Sequence, residues 1–241
     1  MTVTETDFLS NASGGGSGGA YIRLADEGEL LRMDRVRFQD NQAYSGAGAL
    51  YLRAAGNVTP TARLTNLLFA GNDLISDSAK DAVVRIDGAF TNLEVELAYI
   101  TAADNSAETF LYAEPSASRP VTVNVTLTNT LLSAFTNGFA AEEFGGGEVT
   151  IRHSHTLHQD VTNLHQTVGG SPTFSEVNPL PGDPKLSPSY HLMSGSAAID
   201  AGVDAGVDHD IDGDLRPLGD GFDIGADEFV YYKIYLPLVL R

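Results

Sequence analysis

The chain has 241 residues, 42 % of them apolar, which is enough for one large core; it has no cysteine, so disulfides, thiolate metal sites and a cysteine nucleophile are excluded. Against 14 Lys and Arg stand 32 Asp and Glu, a net charge of −18. A surface so acidic repels phosphate backbones and has no basic run for anionic lipid, so neither nucleic acid nor a membrane surface is an expected partner. Nor is a membrane span expected, because the longest apolar run, in VYYKIYLPLVLR, is broken by Lys233 and Pro237 well short of the ~20 residues a bilayer helix needs.

In chain order, the opening MTVTETDFLSN lacks the basic start and apolar stretch of a secretory signal. It already belongs to a repeat, so the chain reads as a piece of a longer protein. Period-two runs ending on an asparagine follow one another: to Asn11, LLRMDRVRFQDN to Asn41, ARLTNLLFAGN to Asn72, LEVELAYITAADN to Asn105, VTVNVTLTNTLLSAFTN to Asn137 and EVTIRHSHTLHQDVTN to Asn163. In the fourth, Leu93, Val95, Leu97 and Tyr99 alternate with Glu94, Glu96 and Ala98, the pattern of a strand with one buried face. After the asparagine comes a turn of small residues and a second strand, at 18–24, 48–54, 82–86 and 109–114. Each repeat of about thirty residues is therefore strand, corner, strand, loop.

One such pair of strands cannot bury its apolar face alone, so the repeats must stack. The expected architecture is all-β: a single right-handed parallel β-helix solenoid of about six coils over residues 1–170, with the asparagines as an interior ladder. A sandwich or propeller is the competing arrangement, disfavoured by the lack of hairpin signals. From about Ser171 the prolines at 172, 179, 181, 184 and 188 mark a loop-rich carboxyl-terminal cap, residues 171–229. Residues 230–241 are expected as a terminal apolar strand or anchor tail.

The rhythm of FLSNASGGGSGGAYI and FQDNQAYSGAGALYL resembles the repeats of polymorphic outer-membrane proteins and pectate-lyase-like bacterial β-helices. The stretch YHLMSGSAAIDAGVDAGVDHDIDGDLRPLGDGFDIGADEF is similar to the closing segment of secreted choice-of-anchor β-helix proteins. The resemblance implies the fold and an extracellular or cell-surface setting more strongly than any activity.

Four aspartates, Asp208, Asp210, Asp212 and Asp214, alternate around Gly213, in the order of an oxygen-ligand loop, and calcium is the cofactor such a set would take. The twelfth position, where an EF-hand needs glutamate, is Gly219, so the remaining ligands would have to come from Asp220, Asp223, Asp227 or Glu228. The competing reading is that these carboxylates cap turn amides and pair with Arg216. His153, His155, His158 and His165 form a second cluster; His153 and His155 on one strand face have the geometry of a two-imidazole arm, although ordinary strand histidines explain them as well. Asp34, Asp40 and Asp73 recur at similar places in successive repeats and could line a groove. Lys80, Lys185 and Lys233 stand apart from any carboxylate run, no GxSxG string is present, and SGGGSGG lacks the lysine of a phosphate loop, so no catalytic residue is assigned. The expectation is a non-catalytic extracellular scaffold or adhesin-like module with a polysaccharide or cell-surface partner. The alternative is a fragment of a polysaccharide lyase or glycoside hydrolase.

Overall fold

The computed structural model describes residues 1–25, 30–57, 59–76, 78–115 and 119–230, and no helix occurs among them. The expected terminal strand or tail falls, from Tyr231 on, outside the described residues. The first coil is β1 (Thr2–Leu9), β2 (Ala12–Ser13) and β3 (Ala20–Leu24); the second is β4 (Leu30–Gln39), β5 (Gln42–Ala43) and β6 (Ala47–Ala54). The third is β7 (Thr61–Ala70), β8 (Asp73–Leu74) and β9 (Ala82–Gly88), and the fourth β10 (Leu93–Ala103) and β11 (Thr109–Pro115). Beyond it the two limbs fuse into single long strands, β12 (Thr122–Glu142) and β13 (Glu148–Gly169), and β14 (Thr173–Pro181) adds a last rung.

All these strands pair in parallel, β1-β4-β7-β10-β12-β13-β14 along one side and β3-β6-β9-β11-β12 along another. The protein is a parallel β-solenoid, as the repeat requires. Pairing runs past the expected boundary at residue 170: Pro179 and Pro181 stand in register with Thr156 and His158. Proline is tolerated there because β14 is an edge strand with no further neighbour waiting for its N–H.

Two columns of left-handed residues bend each long strand. Glu5, Arg35, Asn66, Tyr99, Asn129, His155 and Asn178 stack in register with φ from 49° to 59°, and Ser10, Asp40, Gly71, Asp104, Ala134 and Asp160 form a second corner with φ from 51° to 64°. A single left-handed residue turns the chain and resets its alternation. Leu93, Val95 and Leu97 are accordingly buried in the interior, whereas Tyr99, at the corner, is buried outside it, its Oη donating to Val203 O at 2.8 Å.

The interior amide ladder is present with four members, not six. Nδ2 of Asn11 donates to Asn41 Oδ1 at 2.8 Å, Asn41 to Asn72 at 2.9 Å and Asn72 to Asn105 at 2.9 Å. In register with these, β12 and β13 carry Phe135 and Val161, and Asn163 donates instead to Asn137 two residues further on, at 3.1 Å. The cause is a shortened corner: Ala102 pairs with Leu132, 30 residues on, but Thr109 beyond the corner pairs with Asn137, 28 residues on, so β12 passes the corner in two residues fewer, and β13 keeps that shorter path. With the corner loop gone there is no turn amide for the asparagine to satisfy. In the first coils that loop needs glycine. Gly46 has φ 94°, and a Cβ there would meet Gly16 O of the coil beneath at 2.5 Å.

Phe8, Phe38 and Phe69 stack almost face to face at 4.8 and 5.1 Å, and the aromatic column continues through Phe110, Phe139, His153 and His165 to Phe174.

The loop-rich carboxyl-terminal segment is a lateral strap. Residues 183–229 run along the flank of the column, over the outward side chains Arg37, Leu68, Thr101, Leu131 and Leu157, which stack in register between the two corners. Leu68 packs with Ile211 and Ala226, and Leu131 and Leu157 with Leu192, Ala198 and Ile224. These leucines on the outside of a coil need cover, and the strap removes them from water. Polar residues at and between the corners fix its path: Asn66 Nδ2 donates to His209 O at 2.9 Å, Asn129 Nδ2 to Val203 O at 2.7 Å, and Ala226 N to Thr101 Oγ1 at 2.9 Å.

Candidate functional site

The acidic loop of the strap is folded around Asp210. Its carboxylate is fully buried; Oδ1 accepts the N–H groups of Asp212 and Asp214, both at 2.9 Å, and Oδ2 that of Glu228 at 3.0 Å. A carboxylate two residues ahead of an amide closes a turn of this kind, and Gly213 supplies the φ of 93° that completes it. Asp208 is exposed, 2.8 Å from His209 Nδ1, and Asp214 is exposed. Asp212 bridges outward, Oδ1 at 2.5 Å from Arg37 Nη2 and Oδ2 at 2.5 Å from His191 Nε2. The four aspartates thus take different places. Of the four, only Asp212 belongs to a set of three ligating groups lying within 4.8 Å of one another, and its companions are His191 and Asp227.

Arg216 does pair inside this acidic segment, with Glu228 rather than with a loop aspartate. Its Nη1 donates to Glu228 Oε2 at 2.6 Å, Nη2 donates to the carbonyls of Gly225 and Ala226 at 2.9 and 2.7 Å, and the guanidinium lies 4.0 Å from the centre of the Tyr99 ring. Both ionic side chains are inaccessible to solvent.

His191, Asp212, Asp214 and Asp227 line a cleft of about 320 Å³ closed by Leu192 and Phe229. Asp227 is 7 % exposed, and its Oδ2 accepts Leu192 N at 2.7 Å. Burial, reinforced by the charges of Asp210 and Asp212, pushes its carboxyl up to about 7. A carboxyl whose proton is held this way can act as an acid in the cleft, and two carboxylates with one imidazole are also a ligand set for a divalent cation. Asp227 was among the carboxylates that the sequence offered to complete the loop's ligands, but His191 escaped the sequence reading because no spacing rule joins positions 191, 212 and 227. They meet only because the strap doubles back.

The raised carboxyl has a consequence for stability. The native state holds the Asp227 proton more tightly than the unfolded chain, so between the ordinary carboxylate value of 3.8 and about 7 the folded protein binds more protons and its stability falls as pH rises. Urea unfolding between pH 4 and 7 should therefore show a smaller pH dependence of this sign in Asp227→Asn than in the parent chain; identical slopes would remove Asp227 as the cause.

A second charged group lies on another side of the column. Asp87 and Glu114 stand in register on β9 and β11, and Glu142 follows on β12. Tyr51 Oη donates to Asp87 at 3.0 Å, Tyr112 Oη to Glu142 at 2.8 Å, Arg85 pairs with Glu114 and Lys80 with Glu142. Lys80, isolated in the sequence, is therefore brought onto two carboxylates by its loop, lying 3.8 Å from Glu114 as well. Asp34, Asp40 and Asp73 do not share a groove: they stand in register with Thr65, Gly71 and Gln42, on three different stretches of the coil. The histidines also divide. The left-handed corner at His155 breaks the alternation, so His153 faces the interior, fully packed, and His155 lies 3.1 Å from Asn178.

Between the strap and the long limb of the coils runs an open groove of about 340 Å³. Its floor is the in-register column Thr65, Ala98, Thr128 and Ser154, and its wall is the strap at Val203, Asp204 and Ala205. Asp34 and Arg63 extend it toward Asp208. No helix among the described residues is long and apolar enough to cross a membrane. Comparison of the chain with protein-family models, with curated proteins and with solved structures finds no match.

Proposed function

We propose that the chain is a non-catalytic scaffold module of a secreted or cell-surface bacterial protein of the pectate-lyase-like β-helix type, which offers the strap groove to a neutral polysaccharide. The observation that carries this reading is the groove floor, a regular column of Thr, Ala and Ser side chains that repeats at the ~4.8 Å spacing of parallel strands and matches a linear polymer of hydroxyls. The acidic surface disfavours uronate polymers. A divalent cation at the aspartate loop would rest on Asp212 with Asp227 and His191 rather than on the four loop aspartates together, because both oxygens of Asp210 are held by backbone amides and Asp208 and Asp214 do not converge with Asp212.

A second reading, a glycoside hydrolase fragment, is favoured by one observation: Asp227, carrying its proton near neutral pH, faces a cleft beside Asp212. Retention on insoluble neutral glycans and release of reducing ends should be measured together. The scaffold reading expects retention that Thr128→Arg abolishes and no product. Product release that Asp227→Asn abolishes would replace it with the hydrolase.

A further inference from the structure

We propose that His153, His165 and Glu176 form a zinc site that staples the last rung of the solenoid to the coil before it. The interior columns show where the site comes from. Leu64, Leu97 and Leu127 stack in register along one inner wall, and the next two residues of that column are His153 and Glu176. Along the facing wall Val84, Leu111 and Phe139 are followed by His165. Two columns that are apolar through the length of the coil thus turn into imidazole and carboxylate at the same end and face each other.

The ligating atoms converge. His153 Nε2 lies 2.7 Å from His165 Nε2, and Glu176 Oε2 lies 3.9 and 3.8 Å from the two. A tetrahedral zinc ion with bonds of 2.0–2.1 Å holds its ligands about 3.3 Å apart, which a movement of about half an ångström in each pair would reach. His153 Nδ1 lies 2.9 Å from Thr156 Oγ1, an outer contact of the kind that orients a metal-binding imidazole, with Nε2 turned toward His165. Phe139 and Phe174 pack against the two rings at 4.7 and 4.8 Å, fixing their planes. His165 and Glu176 are partly open to solvent, which gives an ion a way in and leaves a fourth position for water. Two imidazoles with one carboxylate select zinc over calcium, which takes oxygen ligands. The site is independent of the glycan groove.

The test is zinc binding by the tag-free, EDTA-stripped chain, followed by calorimetry and thermal unfolding, with calcium and magnesium in parallel. The expected result is one zinc bound at this site, with a midpoint raised by about 5–10 °C at a hundredfold excess over Kd and no comparable rise with calcium or magnesium. His165→Gln and Glu176→Gln, both at partly exposed positions, should each weaken that binding roughly tenfold or more while the metal-free proteins unfold like the parent. Bound cobalt should give the absorption of a tetrahedral site. His191→Gln, which removes the imidazole from the strap cleft, should leave the binding intact. Absence of zinc uptake, uptake unchanged in both His165→Gln and Glu176→Gln, or loss of uptake only in His191→Gln overturns the proposal.

Discussion

Asn72→Leu is expected to destabilise the column by about 3–5 kcal/mol, the largest loss of any single ladder position. Asn72 is fully buried and uses its whole amide: Oδ1 accepts Asn41 N at 3.2 Å and Asn41 Nδ2 at 2.9 Å, while Nδ2 donates to Phe38 O and to Asn105 Oδ1, both at 2.9 Å. Leucine has a similar size, so the loss is not one of volume. It comes from stranding the Asn41 amides and the Phe38 carbonyl in a dry interior, each costing about 1–3 kcal/mol and partly sharing their relaxation. Urea unfolding would report it as a fall in midpoint at unchanged slope. The comparison is Asn163→Leu, whose single bond to Asn137 lies at an exposed position and should cost less than about 1 kcal/mol. Equal losses at both positions would show that the ladder is not a special source of stability.

Arg216→Met is expected to cost about 3–5 kcal/mol and to release the strap. The methionine fills much of the volume over Tyr99, but Glu228 is left as a buried carboxylate without its cation, and the carbonyls of Gly225 and Ala226 lose their donor. Burial and the nearby Asp223 already push the Glu228 carboxyl up, while Arg216 opposes them. Without the arginine that carboxyl rises further, so the variant should regain stability as pH falls toward the ordinary carboxylate range. Adding Glu228→Gln should restore part of the loss, because it removes the stranded charge. Limited proteolysis of residues 183–229 would read the release directly, since the strap holds to the column by a few small apolar clusters and point contacts at and between its corners. A strap as resistant in Arg216→Met as in the parent would mean that the ion pair adds nothing to docking.

What the sequence conveyed depended on how locally each feature is encoded. Strand periodicity and a recurrent asparagine need only neighbours a few residues away and one repeat length, and both were legible. Register within a coil was not. The left-handed residues at Tyr99 and His155 look like ordinary strand residues, yet each shifts every later side chain to the other face. That shift places Tyr99 beneath the strap and separates His153 from His155. The shortened corners of the last coils likewise moved Asn137 and Asn163 off the ladder, because deleting residues from a loop changes which side chain reaches the stacking position.

The acidic loop shows the same division. Its Asp and Gly spacing was sufficient to encode a tight turn, because a carboxylate and the amides two and four residues on are neighbours by covalent geometry. Which carboxylates then face a cleft was decided by how the strap lies on the column, which brings His191, Asp212 and Asp227 together from positions that share no periodicity. The sequence by itself determined a stacked all-β coil, its amide ladder and an acidic turn, since these follow from alternation, repeat length and local hydrogen bonding. The tertiary structure alone decided the lateral path of the strap, the burial of Arg216 against Glu228 and the convergence of His153, His165 and Glu176. Those depend on long-range packing of the apolar outer column and on the register at two corners, neither of which any short stretch of the chain encodes.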